Sequence, residues 1–187
     1  MAQQVNVFLA DLPKKFSSSE ADEIKLALQG FFDQIVANRK LDAVVKVSWQ
    51  ASKPSVGEKD LLCYFVTSVA DSIVGGNSIG KDVTPPASNW GITVYKGKTV
   101  GSEVYQNRPK KTGHAARLAL HELMHNMALA GEAMHKPGMS IGADPVMEDA
   151  ALSAGDMAFV AAHLLKTTRT QWSDGWSRYN DPLRGAL

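Results

Sequence analysis

The pentapeptide His121-Glu122-Leu123-Met124-His125 constrains this chain more than any other stretch of it. It lies in a run from Thr112, a candidate N-cap, to about Ala130, with Gly131 as its stop, and that pattern predicts a helix. A helix rises about 1.5 Å per residue with about 3.6 residues per turn, so side chains four apart sit one above the other. His121 and His125 can therefore converge on one ion and form half of a zinc site. Glu122 is poorly placed to join them as a ligand but can reach a metal-bound water, which makes it a candidate base.

With 187 residues the chain fits one domain, or one domain in two lobes about a cleft, and is long enough to bury a core. The expected division puts an N-terminal lobe at about 1–131 and a C-terminal lobe at about 132–187. An apolar fraction of 44% and a charged fraction of 21% are ordinary for a globular protein, and no run approaches the ~20 apolar residues that span a bilayer. The net charge of +1 comes without a basic block or an aromatic ladder, so neither nucleic acid nor an anionic membrane is an expected partner. The single cysteine, Cys63, sits in the apolar run Leu61 to Val66 and reads as an inert core thiol. The first ten residues lack the basic start and continuous apolar core of a signal peptide, so cytoplasmic residence is expected unless a signal-independent route exports the chain.

Along the chain, Val5 to Ala10 reads as a strand ended by Asp11-Leu12-Pro13. Ser17 and Glu20 form a capping-box pattern ahead of Ile24, Leu28, Phe31, Phe32 and Ile35, which repeat at helical spacing to about Asn38. Val44 to Gln50 and Leu61 to Ser68 read as strands, the second apolar on both faces. Asp71 to Asn89, rich in Gly, Ser, Asn and Pro, is expected to be a long loop. Trp90 to Tyr95 and Thr99 to Tyr105 form an expected hairpin around Lys96-Gly97-Lys98, whose lysines suit a sheet edge. After an irregular stretch from Glu132 to about Ala150, Leu152-Ser153 opens a last helix with Met157, Val160, Ala161 and Leu164 on one face. The tail beyond Thr170, with Trp172, Trp176 and Tyr179, is expected to dock on the domain surface. The fold class is α+β: a mixed twisted sheet, an N-terminal helix, an active-site helix and a smaller, mostly irregular or helical C-terminal lobe.

A catalytic zinc site takes three protein ligands and leaves a fourth position to water, so a third ligand is needed. His114 lies seven residues before His121, about 10 Å along the helix axis, and cannot share the ion. His163 is offset from the apolar face of the last helix and reads as a packing or solvated histidine. His135 is the strongest candidate, because a turn at Gly131 lets the chain fold back beneath the helix. Asp144 and Glu148 remain alternatives, since carboxylates also bind zinc.

The run from His121 to His135, then Asp144-Pro145-Val146-Met147, then Leu152-Ser153-Ala154-Gly155-Asp156-Met157, resembles the catalytic half of the metzincin zinc metallopeptidases. The resemblance spans about Thr112 to Leu165. It implies a zincin-like fold, a Zn2+ cofactor held by His121, His125 and His135, Glu122 as general base, and Met147 in a methionine turn beneath the metal. The implied reaction is hydrolysis of a peptide bond in a peptide or protein substrate. An extended substrate could add as a strand along the edge formed by Trp90, Gly91, Ile92 and Thr93.

The sequence departs from the family pattern H-E-x-x-H-x-x-G-x-x-H. Ala128 stands where the glycine belongs, Gly131 where the third histidine belongs, and no tyrosine closely follows Met147. A gluzincin-like arrangement would instead take Glu148 as third ligand, although Leu152 stands where that class has an aspartate. A catalytically inactive zinc-binding or partner-binding domain is a further alternative, against which the intact Glu122 argues, because a structural zinc needs no base.

Overall fold

In the computed structural model of the chain, residues 1–75, 85–131 and 134–180 are described. Buried Val5, Val7 and Leu9 alternate along β1 (Gln3–Asp11), which lies inside the sheet with a parallel neighbour on each side. Those neighbours are β2 (Ala43–Trp49) and β3 (Leu61–Val66). Then come β5 (Thr99–Tyr105), parallel to β3, and β4 (Gly91–Lys96), antiparallel to β5 and at the edge. The order is β2-β1-β3-β5-β4, and a two-residue β6 (Thr170–Gln171) pairs with the start of β5. The architecture is α+β with a mostly parallel sheet and four helices among the described residues.

The helix α1 (Ser18–Arg39) begins at the Ser17–Glu20 capping box and buries Ile24, Leu28, Phe32 and Ile35. Together with α2 (Thr112–Ala128) and α3 (Ala154–His163) it packs on one sheet face, where Val7, Leu9, Leu61, Cys63, Phe65 and Val104 meet it. Phe31 is only partly buried and carries the Arg117 guanidinium 5.7 Å from its ring centre. The free thiol of Cys63 is fully buried, and desolvation pushes its pKa up, so it is not a nucleophile.

The opposite sheet face has its own core, and here the expectation for the tail is corrected. Trp172 is buried against Tyr64, and Trp176 in α4 (Gly175–Tyr179) packs on the same ring. The reason is visible in β3, whose alternate residues Leu62, Tyr64 and Val66 are apolar and would face water without this cover. Far from merely docking on the surface, the tail completes the second layer.

Arg169, only 1% exposed, locks that tail to the rest. Its guanidinium donates to the backbone carbonyls of Lys59, Asp60, Met127, Leu164 and Thr167. Met127 and Leu164 lie at the C-terminal ends of α2 and α3, where unpaired carbonyls and the helix dipole favour a cation.

Two boundaries of α2 differ from expectation. Lys111 occupies the N-cap, and the Thr112 hydroxyl instead donates to Glu23 Oε2 at 2.7 Å. At the other end Leu129, not Gly131, takes the left-handed conformation, with φ of 51°. The expected loop from Asp71 to Asn89 lies partly outside the described residues; its start includes a 3-10 turn at Val69–Asp71. No helix among the described residues is long and apolar enough to cross a membrane.

Candidate metal centre

His121 and His125 project from consecutive turns of α2, and their Nε2 atoms lie 3.2 Å apart. The third member is His135, whose Nε2 is 3.2 Å from that of His125. It reaches the site because the left-handed Leu129 turns the chain back, while Met134, immediately before it, is fully buried in the core. The donor atoms of the three imidazoles all lie within 4.8 Å of one another. Tetrahedral zinc with Zn–N distances of about 2.0–2.1 Å places its nitrogen ligands about 3.3 Å apart, close to the two 3.2 Å spacings that His125 makes.

The outer nitrogens fix which ring nitrogen carries the proton. His121 Nδ1 is 2.8 Å from the carbonyl of Ile141, and His125 Nδ1 is 2.7 Å from that of Ala130. A carbonyl can only accept, so each Nδ1 carries the proton, and in the neutral ring Nε2 keeps its lone pair for a metal. Burial, followed by the neighbouring His125, lowers the pKa of metal-free His121 to about 3, which keeps it neutral and ligand-ready.

Glu122, also buried, lines the same cleft. Its Oε2 accepts from the Thr93 hydroxyl at 2.8 Å. Desolvation raises its pKa to about 8 in the metal-free protein, against the lowering effect of the Thr93 hydrogen bond. A cation held by the histidines would favour its charged form.

The cleft measures about 360 Å³ and is walled on one side by Trp90, Gly91, Ile92 and Thr93, the strand edge expected to take substrate. Gly91 is required there by close approach, since a Cβ would lie 2.6 Å from Glu122 Oε1 and 2.7 Å from the carbonyl oxygen of Glu103. A larger hollow of about 810 Å³ adjoins the cleft and shares Trp90, Pro145 and Val146 with it.

The remaining candidates fall elsewhere. Met147 is 61% exposed and lines the adjoining hollow, not the histidine cleft, so the expected placement beneath the metal is corrected. Val146, the buried neighbour, lines both the cleft and the adjoining hollow. Glu148 lines the same hollow and pairs with Lys111 at 2.9 Å and Lys110 at 3.9 Å, away from the imidazoles. Asp144 borders the cleft, but the converging donor atoms among the described residues belong to the histidines alone. His114 is occupied at Nε2, which donates to the Val146 carbonyl at 3.0 Å, and His163 packs on Phe159.

The residues that sequence reasoning missed act one step out from the site. Asp156 is fully buried and accepts from the backbone N–H groups of Ser140, Ile141 and Gly142, which shapes the turn that supplies the Ile141 carbonyl. Leu152-Ser153 marks the start of the helix in the sequence, but the reach of Asp156 to residue 141 depends on the fold. No protein-family model matches the chain, and no curated protein matches it in sequence.

Proposed function

We propose that this chain is a zinc-dependent peptidase with a zincin-like arrangement, in which His121, His125 and His135 hold the metal and Glu122 is the general base. The observation that carries the reading is the mutual spacing of the histidine Nε2 atoms, 3.2 Å for each neighbouring pair, beside a buried glutamate in one cleft. The antiparallel edge strand along that cleft supports it, because no strand among the described residues pairs with the outer side of β4, where an extended peptide can add. The exposed position of Met147 does not follow the metzincin pattern, so the reading rests on the histidines and the base.

Zinc, when bound, supplies activation of a water and polarisation of the scissile carbonyl. Glu122 would accept a proton from the attacking water as the new C–O bond forms and would pass it to the amide nitrogen as the C–N bond breaks. The carboxylate is buried yet lines the cleft, so it can meet a substrate there. The β4 backbone orients the peptide, which turns a bimolecular encounter into a positioned one.

The test is metal analysis of purified protein combined with hydrolysis of an unstructured protein substrate, with and without a chelator. Stoichiometric zinc and chelator-sensitive cleavage are expected. Glu122→Ala should keep zinc and lose turnover, whereas His121→Ala should lose both. Undiminished hydrolysis by the Glu122 variant, or no zinc uptake after reconstitution, would overturn the reading.

A further inference from the structure

We propose that Thr93 is the positioning residue for the base: its hydroxyl, braced by Ser102 and by an amide pair between Asn126 and Gln171, holds the Glu122 carboxylate in the orientation that proton transfer needs. The inference rests on the peptidase reading above and concerns how its base is held.

The contacts form one unbroken chain from the C-terminal strand to the carboxylate. Gln171 Nε2 donates to Asn126 Oδ1 at 2.7 Å, and Asn126 Nδ2 donates to Gln171 Oε1 at 2.9 Å and to Ser102 Oγ at 3.0 Å. Ser102 and Thr93 face each other across the β4–β5 pair, with their hydroxyls 2.8 Å apart. Thr93 Oγ1 then lies 2.8 Å from Glu122 Oε2.

Proton counting gives the chain a direction. Both side-chain protons of Asn126 are spent, and the Ser102 oxygen accepts one of them. The Ser102 proton therefore goes to Thr93 Oγ1 or to the Glu122 carbonyl 3.3 Å away. The single Thr93 proton has two acceptors on Glu122, the backbone carbonyl at 2.9 Å and Oε2 at 2.8 Å, and an ionised carboxylate is the stronger of the two. Ser102 and Asn126 are fully buried and Gln171 nearly so, so water does not compete for these bonds.

Glutamate has three side-chain torsions, and a carboxylate free to sample them would be aligned only part of the time. Among the described residues Thr93 is the one side-chain donor to this carboxylate. Gly91, two residues earlier on the same strand, leaves the space that Oε1 occupies. One edge strand thus clears room for the base and holds it. Thr93 presents its side chain to α2, while no strand among the described residues pairs with the outer backbone edge of β4. Base alignment can therefore be lost without loss of substrate binding.

The experiment compares zinc-loaded wild type with Thr93→Val, which keeps the side-chain shape but lacks the hydroxyl, and with Thr93→Ser, which restores it. Thr93→Val should lower kcat about 10- to 100-fold, with KM and zinc affinity by chelator competition each within about twofold of wild type. Thr93→Ser should recover kcat to within about threefold. Crystal structures of the zinc-loaded proteins should show the Glu122 carboxylate rotated in the Val variant and back in place in the Ser variant. A Val variant with wild-type kcat, or with the carboxylate unmoved, overturns the proposal. If wild type cleaves no substrate, the peptidase reading fails by itself; the crystallographic comparison still decides the positioning, a displaced carboxylate upholding it and an unmoved one overturning it.

Discussion

The imidazole of His121 donates its Nδ1 proton to the carbonyl of Ile141, 2.8 Å away and 20 residues along the chain. That carbonyl does not stand alone. Asp156 at the start of α3 accepts from the N–H groups of Ile141 at 3.1 Å, Gly142 at 2.8 Å and Ser153 at 2.8 Å, so a helix cap and one of the three clustered imidazoles share one anchor. The orientation of the His121 ring is thereby tied to the stability of α3 and of the turn that precedes it.

Asp156→Ala should uncouple the two. Several buried N–H groups would lose their acceptor, lowering the unfolding free energy by roughly 3 kcal/mol. Zinc affinity should fall about 10- to 100-fold as the His121 ring loses its support. Urea melts and chelator competition measure these effects; a folded variant with unchanged zinc affinity would show that the Ile141 carbonyl does not need this anchor.

The third ligand can be read directly. His135→Ala should weaken zinc binding by more than about 100-fold, beyond the loss expected for a supporting residue. Glu148→Ala, which removes only exposed lysine pairs, should leave affinity within about twofold. The reverse pattern in a zinc titration would move the third ligand to Glu148.

Gly91→Ala introduces a methyl group where Glu122 Oε1 and the Glu103 backbone already stand. The strand must shift, which should destabilise the protein by about 1–3 kcal/mol and lower turnover at least about tenfold. Gly97→Ala is the control. Its φ of 59° penalises alanine by about 1 kcal/mol, yet no atom stands within 4 Å of the added methyl, so turnover should persist. Thermal melts and peptide hydrolysis on the two variants separate a site effect from a general one.

Leu129 holds a left-handed φ of 51° at the end of α2, a conformation that disfavours residues with a side chain. Leu129→Gly should relieve this and raise stability by about 0.5–1 kcal/mol, less whatever burial the leucine contributes. Denaturant unfolding of the metal-free protein measures it. A loss well beyond 1 kcal/mol would mean that the leucine's packing outweighs its backbone strain.

Much of the frame was legible because short-range rules govern it. The Ser17 and Ser153 caps, the apolar stripe from Ile24 to Ile35, the doubly apolar β3 and the hairpin around Gly97 all follow from residues within one or two turns of each other. The pairing of His121 with His125 is of the same kind, since a helix decides it. The stop of α2 was misplaced for a related reason: glycine favours a left-handed turn but does not compel one, and Leu129 is drawn into that conformation two residues sooner.

What tertiary structure alone decided are relationships between segments far apart in the chain. Sequence by itself determined a helix carrying two imidazoles and a carboxylate, with further histidines, carboxylates and a methionine as competing companions. Only the folded chain brings His135 to His125, sends Met147 and Glu148 to the adjoining hollow, and sets Thr93 against Glu122. The physical reason is that a side chain's direction within an element follows from local backbone geometry, whereas its partner depends on how whole faces are buried. Here the sheet demands cover on both sides, and meeting that demand fixes where β4, α2 and the C-terminal segments come together.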